Sequence, residues 1–216
     1  MPLVRRCRLA SCRRVAMPKE IKMADLMPER TKDLKPASVA PATDWSGELV
    51  TRTGYAFHVR PAAPADEPAL SDFFTHVDKE DLRFRFLSAV QKVGHDQLQA
   101  LVGVDHERTE NFLAIEAGAI EAGTGTILAT AMLAADATMT HAEVAIAIRT
   151  DFKRRGISWT LLDHVARFAV AKGIKTLESI ESRDNHEAIE LERERGWTAS
   201  ACPGDSTVVV LRMTLA

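Results

Sequence analysis

Hydrophobic residues become regularly spaced only beyond Gly54, where the spacing alternates between that of strands and that of helices. Short runs dominated by apolar residues predict strands, and apolar residues three to four positions apart predict helices. The predicted strands span residues 55–60, 111–117, 126–133, 142–148, 175–181, 197–202 and 207–215. The predicted helices span residues 69–77, 79–90, 96–102, 157–172 and 185–195.

The order of these elements predicts a mixed α+β fold. With the short helix at 96–102 left aside, the order is β-α-α-β-β-β-α-β-α-β-β, and its three consecutive strands form an antiparallel meander. The helix at 157–172 then makes one right-handed crossover to a parallel strand. We expect a mainly antiparallel central sheet of about six or seven strands, flanked by helices.

The first fifty residues lack this periodicity. They begin with an arginine-rich stretch and pass through a segment rich in Pro, Ala, Ser and Thr at 36–43. We interpret residues 1–50 as a flexible N-terminal tail and residues 51–216 as one domain. The opening has the composition of an organellar targeting segment. A start assigned too far upstream, with Met17, Met23 or Met27 as the true start, explains it equally well.

Composition narrows the class of protein. No apolar run approaches the ~20 residues that span a bilayer, so no membrane partner is expected. Three cysteines without a CxxC pair indicate neither a disulfide framework nor a zinc site, and they favour a reduced, cytoplasmic setting. Residues 1–50 contain ten Lys and Arg against six Asp and Glu, which leaves eighteen against twenty-four in residues 51–216. This acidic body argues against a nucleic-acid partner.

The most informative stretch joins a strand, a basic glycine turn and a helix. The strand at 142–148 is almost wholly apolar and contains a single carboxylate, Glu143. The turn opens the helix, and its residues are Lys153, Arg154, Arg155, Gly156, Ile157 and Ser158. Free N–H groups and the positive dipole end at a helix N-terminus both favour phosphate. The pairing of such a site with an acid predicts transfer chemistry on a phosphate-bearing cosubstrate.

These residues, in this order of elements, resemble the GNAT superfamily of acetyl-CoA-dependent N-acetyltransferases. The family's Gln/Arg-x-x-Gly-x-Gly/Ala signature is matched by the glycine turn, with Lys153 and Ser158 as departures. A second family element, Asn-x-x-Ala-x-x-Leu followed by Gly-aromatic, is matched by Asn185, Ala188, Leu191, Gly196 and Trp197. Residues 59–67, 80–86 and 104–108 are similar to the acetyltransferase domain of bacterial protein-lysine acetyltransferases.

The resemblance implies where acetyl-CoA binds. Backbone amides from Arg154 to Ser158 would hold its pyrophosphate, Gly156 would let the chain approach closely, and Arg154 or Arg155 would pair with a phosphate. The other cofactor-binding positions are the backbone groups of Ile146, Ala147 and Ile148 beside the pantetheine arm, together with Lys153 and Asn185. Asn185 has the alternative role of a helix N-cap. In the family, a bulge parts this strand from the next.

The resemblance also implies the base that the chemistry needs. An alkylamine with a pKa near ~10.4 is protonated at neutral pH, so acetylation requires a group that takes its proton. Glu143 is the predicted general base because its apolar neighbours favour a raised pKa; the alternative is a side chain that points into solvent. Many relatives have a tyrosine at the position of Glu192 that protonates the departing thiolate. The only tyrosine here is Tyr55, so the sequence leaves the general acid unnamed.

We expect direct transfer of an acetyl group from acetyl-CoA to a primary amine, without a metal ion. A protein lysine is the first choice of acceptor and a small-molecule amine the second. A degenerate domain that binds acyl-CoA as a regulator is the alternative from another class. The alternating Arg83, Phe84, Arg85 and Phe86 are interpreted as a helix that buries its phenylalanines and exposes its arginines, with an acceptor groove as the alternative. Monomer and homodimer both stay open.

Overall fold

The computed structural model describes residues 45–86, 92–117 and 125–215. An eight-stranded sheet runs through them in the order β1-β2-β3-β4-β5-β6-β8-β7. The strands are β1 (Gly47–Val50), β2 (Ala56–Pro61), β3 (Thr109–Glu116), β4 (Ile127–Ala135), β5 (His141–Ile148), β6 (Thr176–Ser182), β7 (Thr198–Ala201) and β8 (Val208–Thr214). Neighbours pair antiparallel except β5 and β6, which are parallel. The predicted α+β class and mainly antiparallel sheet are confirmed.

Five helices flank the sheet. They are α1 (Glu67–Thr75), α2 (Lys79–Phe86), α3 (His95–Val102), α4 (Ile157–Ala171) and α5 (His186–Glu194). Each predicted helix is present within about two residues, although residues 87–90 of the second lie outside the described part of the chain. None of these helices is long and apolar enough to cross a membrane.

Two apolar clusters cover the two faces of the sheet. On one face α4 buries the stripe predicted from its spacing, which consists of Leu161, Leu162, Val165 and Ala169. On the other face α1, α2 and α3 bury Leu70, Phe73, Leu82 and Leu98. Each such side chain contributes about 2 kcal/mol of apolar burial. The sheet is therefore held rigidly from both sides.

Strand β1 corrects the predicted domain boundary. Gly47–Val50 pairs with β2, and Trp45 just before it packs edge-on against Phe168 of α4, with ring centroids 5.3 Å apart. A four-residue strand that exposes every second side chain is too short to give a readable period. The domain therefore begins before residue 51, and the sheet has eight strands rather than six or seven. The predicted tail over residues 1–44 lies outside the described residues.

Strands β5 and β6 part soon after they meet. Their parallel ladder runs from His141↔Thr176 to Glu143↔Glu178 and ends there. Beyond that point β5 continues along β4 as far as Ile148, and β6 continues along β8 as far as Ser182. The result is a wedge-shaped gap between two neighbouring strands, which we call the interstrand opening.

Candidate active site

The interstrand opening forms without the bulge that the family resemblance led us to expect in β5. The β4–β5 register is continuous from Ala135↔Ala142 to Ala129↔Ile148, and the register shift on β4 is on its other side, between Ala114 and Ile115 of β3. The strands diverge because β6 follows β8 while β5 follows β4. The expected separation of β5 from β6 is present, but it arises from how the strands pair rather than from a bulge.

The backbone of β5 presents alternate peptide groups to the opening. The Arg149 N–H donates to the Leu128 carbonyl at 2.9 Å, so the odd-numbered residues of β5 bond to β4. The peptide groups of Ile146 and Ile148 therefore face the opening, whereas Ala147 turns its backbone to β4 and its side chain into the cluster under α1 to α3. Of the three predicted backbone contacts, the structure favours the two isoleucines.

The glycine turn lies at the wide end of the opening, between β5 and α4. Gly156 is the N-cap of α4, and no side chain caps the helix. Its φ is +81°, and a Cβ placed on it would lie 3.3 Å from the Cβ of Thr51. Glycine avoids both the strain and the contact. The first-turn N–H groups of α4 have no intrahelical acceptors, so they are free to donate to an anion, and the phosphate site stays a prediction.

The cationic side chains of the turn are engaged with the protein. Lys153 forms a 2.6 Å ion pair with Asp81 of α2. The Arg155 guanidinium lies 4.5 Å from the ring centroid of Phe152 and donates to the carbonyl of Asp151. Arg154 is 87% exposed and pairs with Glu187 at 3.3 Å. Among the described groups of the turn, the backbone amides at the start of α4, rather than a cluster of free cations, are therefore the ones left available to an anion.

The N-terminal segment supports the turn from outside. The Thr53 hydroxyl donates to the Arg155 carbonyl at 2.8 Å, and the Arg52 guanidinium lies 5.3 Å from the ring centroid of Trp159 on α4. Arg195 covers the same ring at 4.6 Å. The sequence gives no signal for these contacts, because all of them join residues far apart in the chain.

Glu143 lies at the narrow end of the opening, in the last β5–β6 pair. It shares the sheet face of α2 with Glu178, the paired residue on β6, which is itself ion-paired with Arg212 at 2.6 Å. Solvent reaches Glu143, yet the surrounding protein desolvates its carboxyl and so raises its pKa, with Glu178 adding to the rise and Arg85 opposing it. A carboxylate with a raised pKa next to an opening has the properties of a general base.

Arg85 of α2 corrects the interpretation of the alternating helix. Arg83 is exposed as expected, but the Arg85 Nε is buried, with no hydrogen-bond partner among the described residues. Burial lowers the pKa of Arg85, and the charges of Glu143 and Glu181 oppose that effect. The helix therefore directs one of its two arginines into the opening. Sequence spacing alone could not distinguish it from Arg83.

Two further carboxyls lie on the α5 side of the opening. Glu192 of α5 accepts a 2.5 Å hydrogen bond from the Ser179 hydroxyl, and Glu181 accepts one of 2.7 Å from the Asn185 amide. Asn185 also caps α5 by accepting from the Ala188 N–H at 3.4 Å, so its predicted capping role is confirmed. Burial raises the pKa of Glu181 to about 8 and that of Glu192 to about 7.

Comparisons with known proteins agree with this geometry. A model of the acetyltransferase (GNAT) family matches residues 75–197, more than half of the chain. Acetyltransferase PA5475 of Pseudomonas aeruginosa is 24% identical over 157 residues, or 73% of this chain and 83% of that protein.

Solved structures share the fold. The GNAT domain of PAT from S. lividans superimposes with a TM-score of 0.73 at 24% identity, covering 82% of this chain and 100% of that one. Spermidine N-acetyltransferase from Vibrio cholerae, in complex with CoA and spermine, gives a TM-score of 0.59 at 13% identity, covering 74% of this chain and 95% of that one. Because the family model includes both the glycine turn and the α5 motif, the chain belongs to the acetyltransferase (GNAT) family and is an acyl-CoA-dependent N-acetyltransferase.

Proposed function

We propose that the chain acetylates a primary amine, first of all a protein lysine, by direct attack of the amine on acetyl-CoA with Glu143 as general base. The observation that carries this proposal is one opening with an anion-binding helix N-terminus at its wide end and a desolvated carboxylate at its narrow end. A cosubstrate that joins a diphosphate to a thioester through a long arm fits between the two ends.

The residues around the opening suit acetyl-CoA. First-turn amides of α4, next to Arg155, Gly156 and Ser158, would hold the pyrophosphate, while Ile146 and Ile148 offer backbone groups to the arm. A β5 N–H that no strand accepts is suited to polarise the thioester carbonyl. Acetyl-CoA supplies the activated acetyl group, and these residues bind and orient it.

Glu143 would then take the amine proton. Burial raises the pKa of Glu143, which makes it a stronger base, while the charge of Arg85 favours the ionised form that can accept a proton. The acidic groups at the narrow end of the opening, Glu143 and Glu178, attract a cationic amine to this end. Both a lysine side chain and a polyamine have that chemistry, and the similarity of residues 59–67, 80–86 and 104–108 to bacterial protein-lysine acetyltransferases favours the lysine.

The decisive experiment incubates the purified chain with acetyl-CoA and a panel of protein extracts, lysine peptides and small amines, and measures the free thiol released. We expect acceptor-dependent thiol release, fastest with a protein or peptide lysine. Release that is fastest with a small amine would move the assignment to a small-molecule acetyltransferase. Binding of acetyl-CoA without any acceptor-dependent release would favour a regulatory acyl-CoA-binding domain.

A further inference from the structure

The Glu181 and Glu192 pair is a buried acidic group that the proposed base mechanism does not use. Glu192 is 6% exposed. It is held by Ser179, which is the first residue of β6 after the last β5–β6 pair, so the Glu192 carboxyl lies at the apex of the opening. The hydrogen bond between β6 and α5 fixes the position of this carboxyl.

The pair lies on the opposite side of the sheet from the proposed base. Ser179 shares its face of β6 with Leu177, which packs in the α4 cluster, whereas Glu143 and Glu178 share the α2 face. Glu143 and Glu192 therefore flank the apex from two sides. A thioester held between the strands would have the base on one side and this carboxyl on the other.

A buried arginine at the opening is the second observation that supports a role for these carboxyl groups. Arg85, whose Nε has no hydrogen-bond partner among the described residues, interacts electrostatically with both Glu143 and Glu181. It can interact with groups on both faces because the strands between them have parted. The cation thus links the two carboxyl groups that line the opening.

We propose that Glu192, supported by Ser179 and Glu181, donates a proton to the coenzyme A sulfur as this sulfur leaves the acetyl group. This inference rests on the proposed function. As the amine nitrogen bonds to the acetyl carbon, the carbon–sulfur bond breaks and the sulfur takes the electron pair. The Glu192 carboxyl gives its proton to that sulfur and becomes a carboxylate. Glu143 takes the proton that the neutral amine nitrogen loses on forming the amide and releases it to solvent, and one proton returns from solvent to Glu192.

The electrostatics of the pair suit this role. Burial raises the pKa of Glu192 to about 7, although the Ser179 hydrogen bond opposes the rise. The pKa of Glu181 is raised further, by burial and by Glu192, with Asn185 and Arg85 opposing. The pair therefore retains a proton near neutral pH. A thiol has a pKa near ~8.5, so transfer from such a carboxyl to a thiolate is downhill.

The test is the pH profile of kcat for Glu192→Gln. Glutamine keeps the shape and the Ser179 hydrogen bond but has no proton to transfer. We expect wild-type kcat to fall on the basic side as the carboxyl ionises. The variant should lose about 10–100-fold in kcat and show no such fall, because it has lost the titrating group. The exposed Glu190 on the same helix supplies the matched control, Glu190→Gln, which should keep the wild-type profile.

A second variant keeps the proposal falsifiable if Glu192→Gln does not fold. Ser179→Ala removes a hydrogen bond that lowers the Glu192 pKa, so the basic limb should move to higher pH while most activity is retained. If the wild type is active and the basic limb of the kcat profile is unchanged in both variants, the role of Glu192 is overturned while the proposed function stands. A wild type without acceptor-dependent thiol release overturns the proposed function instead.

Discussion

The glycine turn and the carboxyl-lined apex, at opposite ends of one opening, are built in different ways. The turn is made of a few consecutive residues, and the groups that we propose for anion binding are main-chain amides. The apex gathers side chains from β5, β6, α2 and α5, namely Glu143, Glu181, Arg85 and Glu192. If the proposed roles hold, affinity for the cosubstrate depends on local backbone conformation, whereas reactivity depends on which charged side chains the tertiary fold brings together.

The largest effect should come from the apex. Glu143→Gln removes the proposed base, so we expect turnover to fall about 100-fold or more at neutral pH while acetyl-CoA affinity stays within a factor of about two. Steady-state rates and calorimetry measure the two quantities. The neighbouring Glu178 lies on the same face and supplies the control, Glu178→Gln, which should lose far less. Equal losses in the two variants would remove Glu143 from its role.

A change in the glycine turn should have the opposite effect, with weaker coenzyme A binding and nearly unchanged turnover. Gly156→Ala forces an alanine into φ +81° against Thr51, which distorts the turn. We expect coenzyme A to bind about tenfold more weakly, with kcat at saturating acetyl-CoA nearly unchanged. Gly173 has the same φ with open space around it, so Gly173→Ala reports the conformational strain alone. If both alanine variants bind coenzyme A like the wild type, the turn is not the phosphate site.

The sequence could predict the turn because its determinants are local. Gly156 and the helix after it are recognisable within about twenty residues, and the order of elements gave the parallel crossover and the position of Glu143. The apex could be predicted only in part. Whether Arg85 or Arg83 enters the opening depends on how α2 packs on the sheet. The hydrogen-bond partner of Glu192 is Ser179 on β6, and only the tertiary fold brings the two together. Strand β1 was missed because its pairing, not its own pattern, defines it.

A change at Arg85 tests the electrostatics of the apex through the pH profile of kcat. Its charge lowers the pKa of Glu143, so Arg85→Gln should raise that pKa and move the acidic limb of kcat to higher pH. Activity relative to the wild type should fall several-fold below neutral pH, and the ratio should recover as the pH rises and Glu143 ionises again. Arg83→Gln, one exposed arginine earlier on α2, should leave the limb in place. A uniform loss at every pH would show that Arg85 acts only by packing.

The smallest effect should come from the most obvious cation of the turn. Arg154 is 87% exposed, and its one ion pair among the described residues is with the exposed Glu187, so solvent and salt screen its charge. We expect Arg154→Ala to weaken coenzyme A binding by less than about threefold, and the difference to shrink further as salt is raised. Calorimetry at two ionic strengths measures both quantities. A loss of tenfold or more that persists at high salt would mean that the Arg154 side chain, rather than the amides of α4, holds the phosphate, and the contrast between a main-chain turn and a side-chain apex would no longer stand.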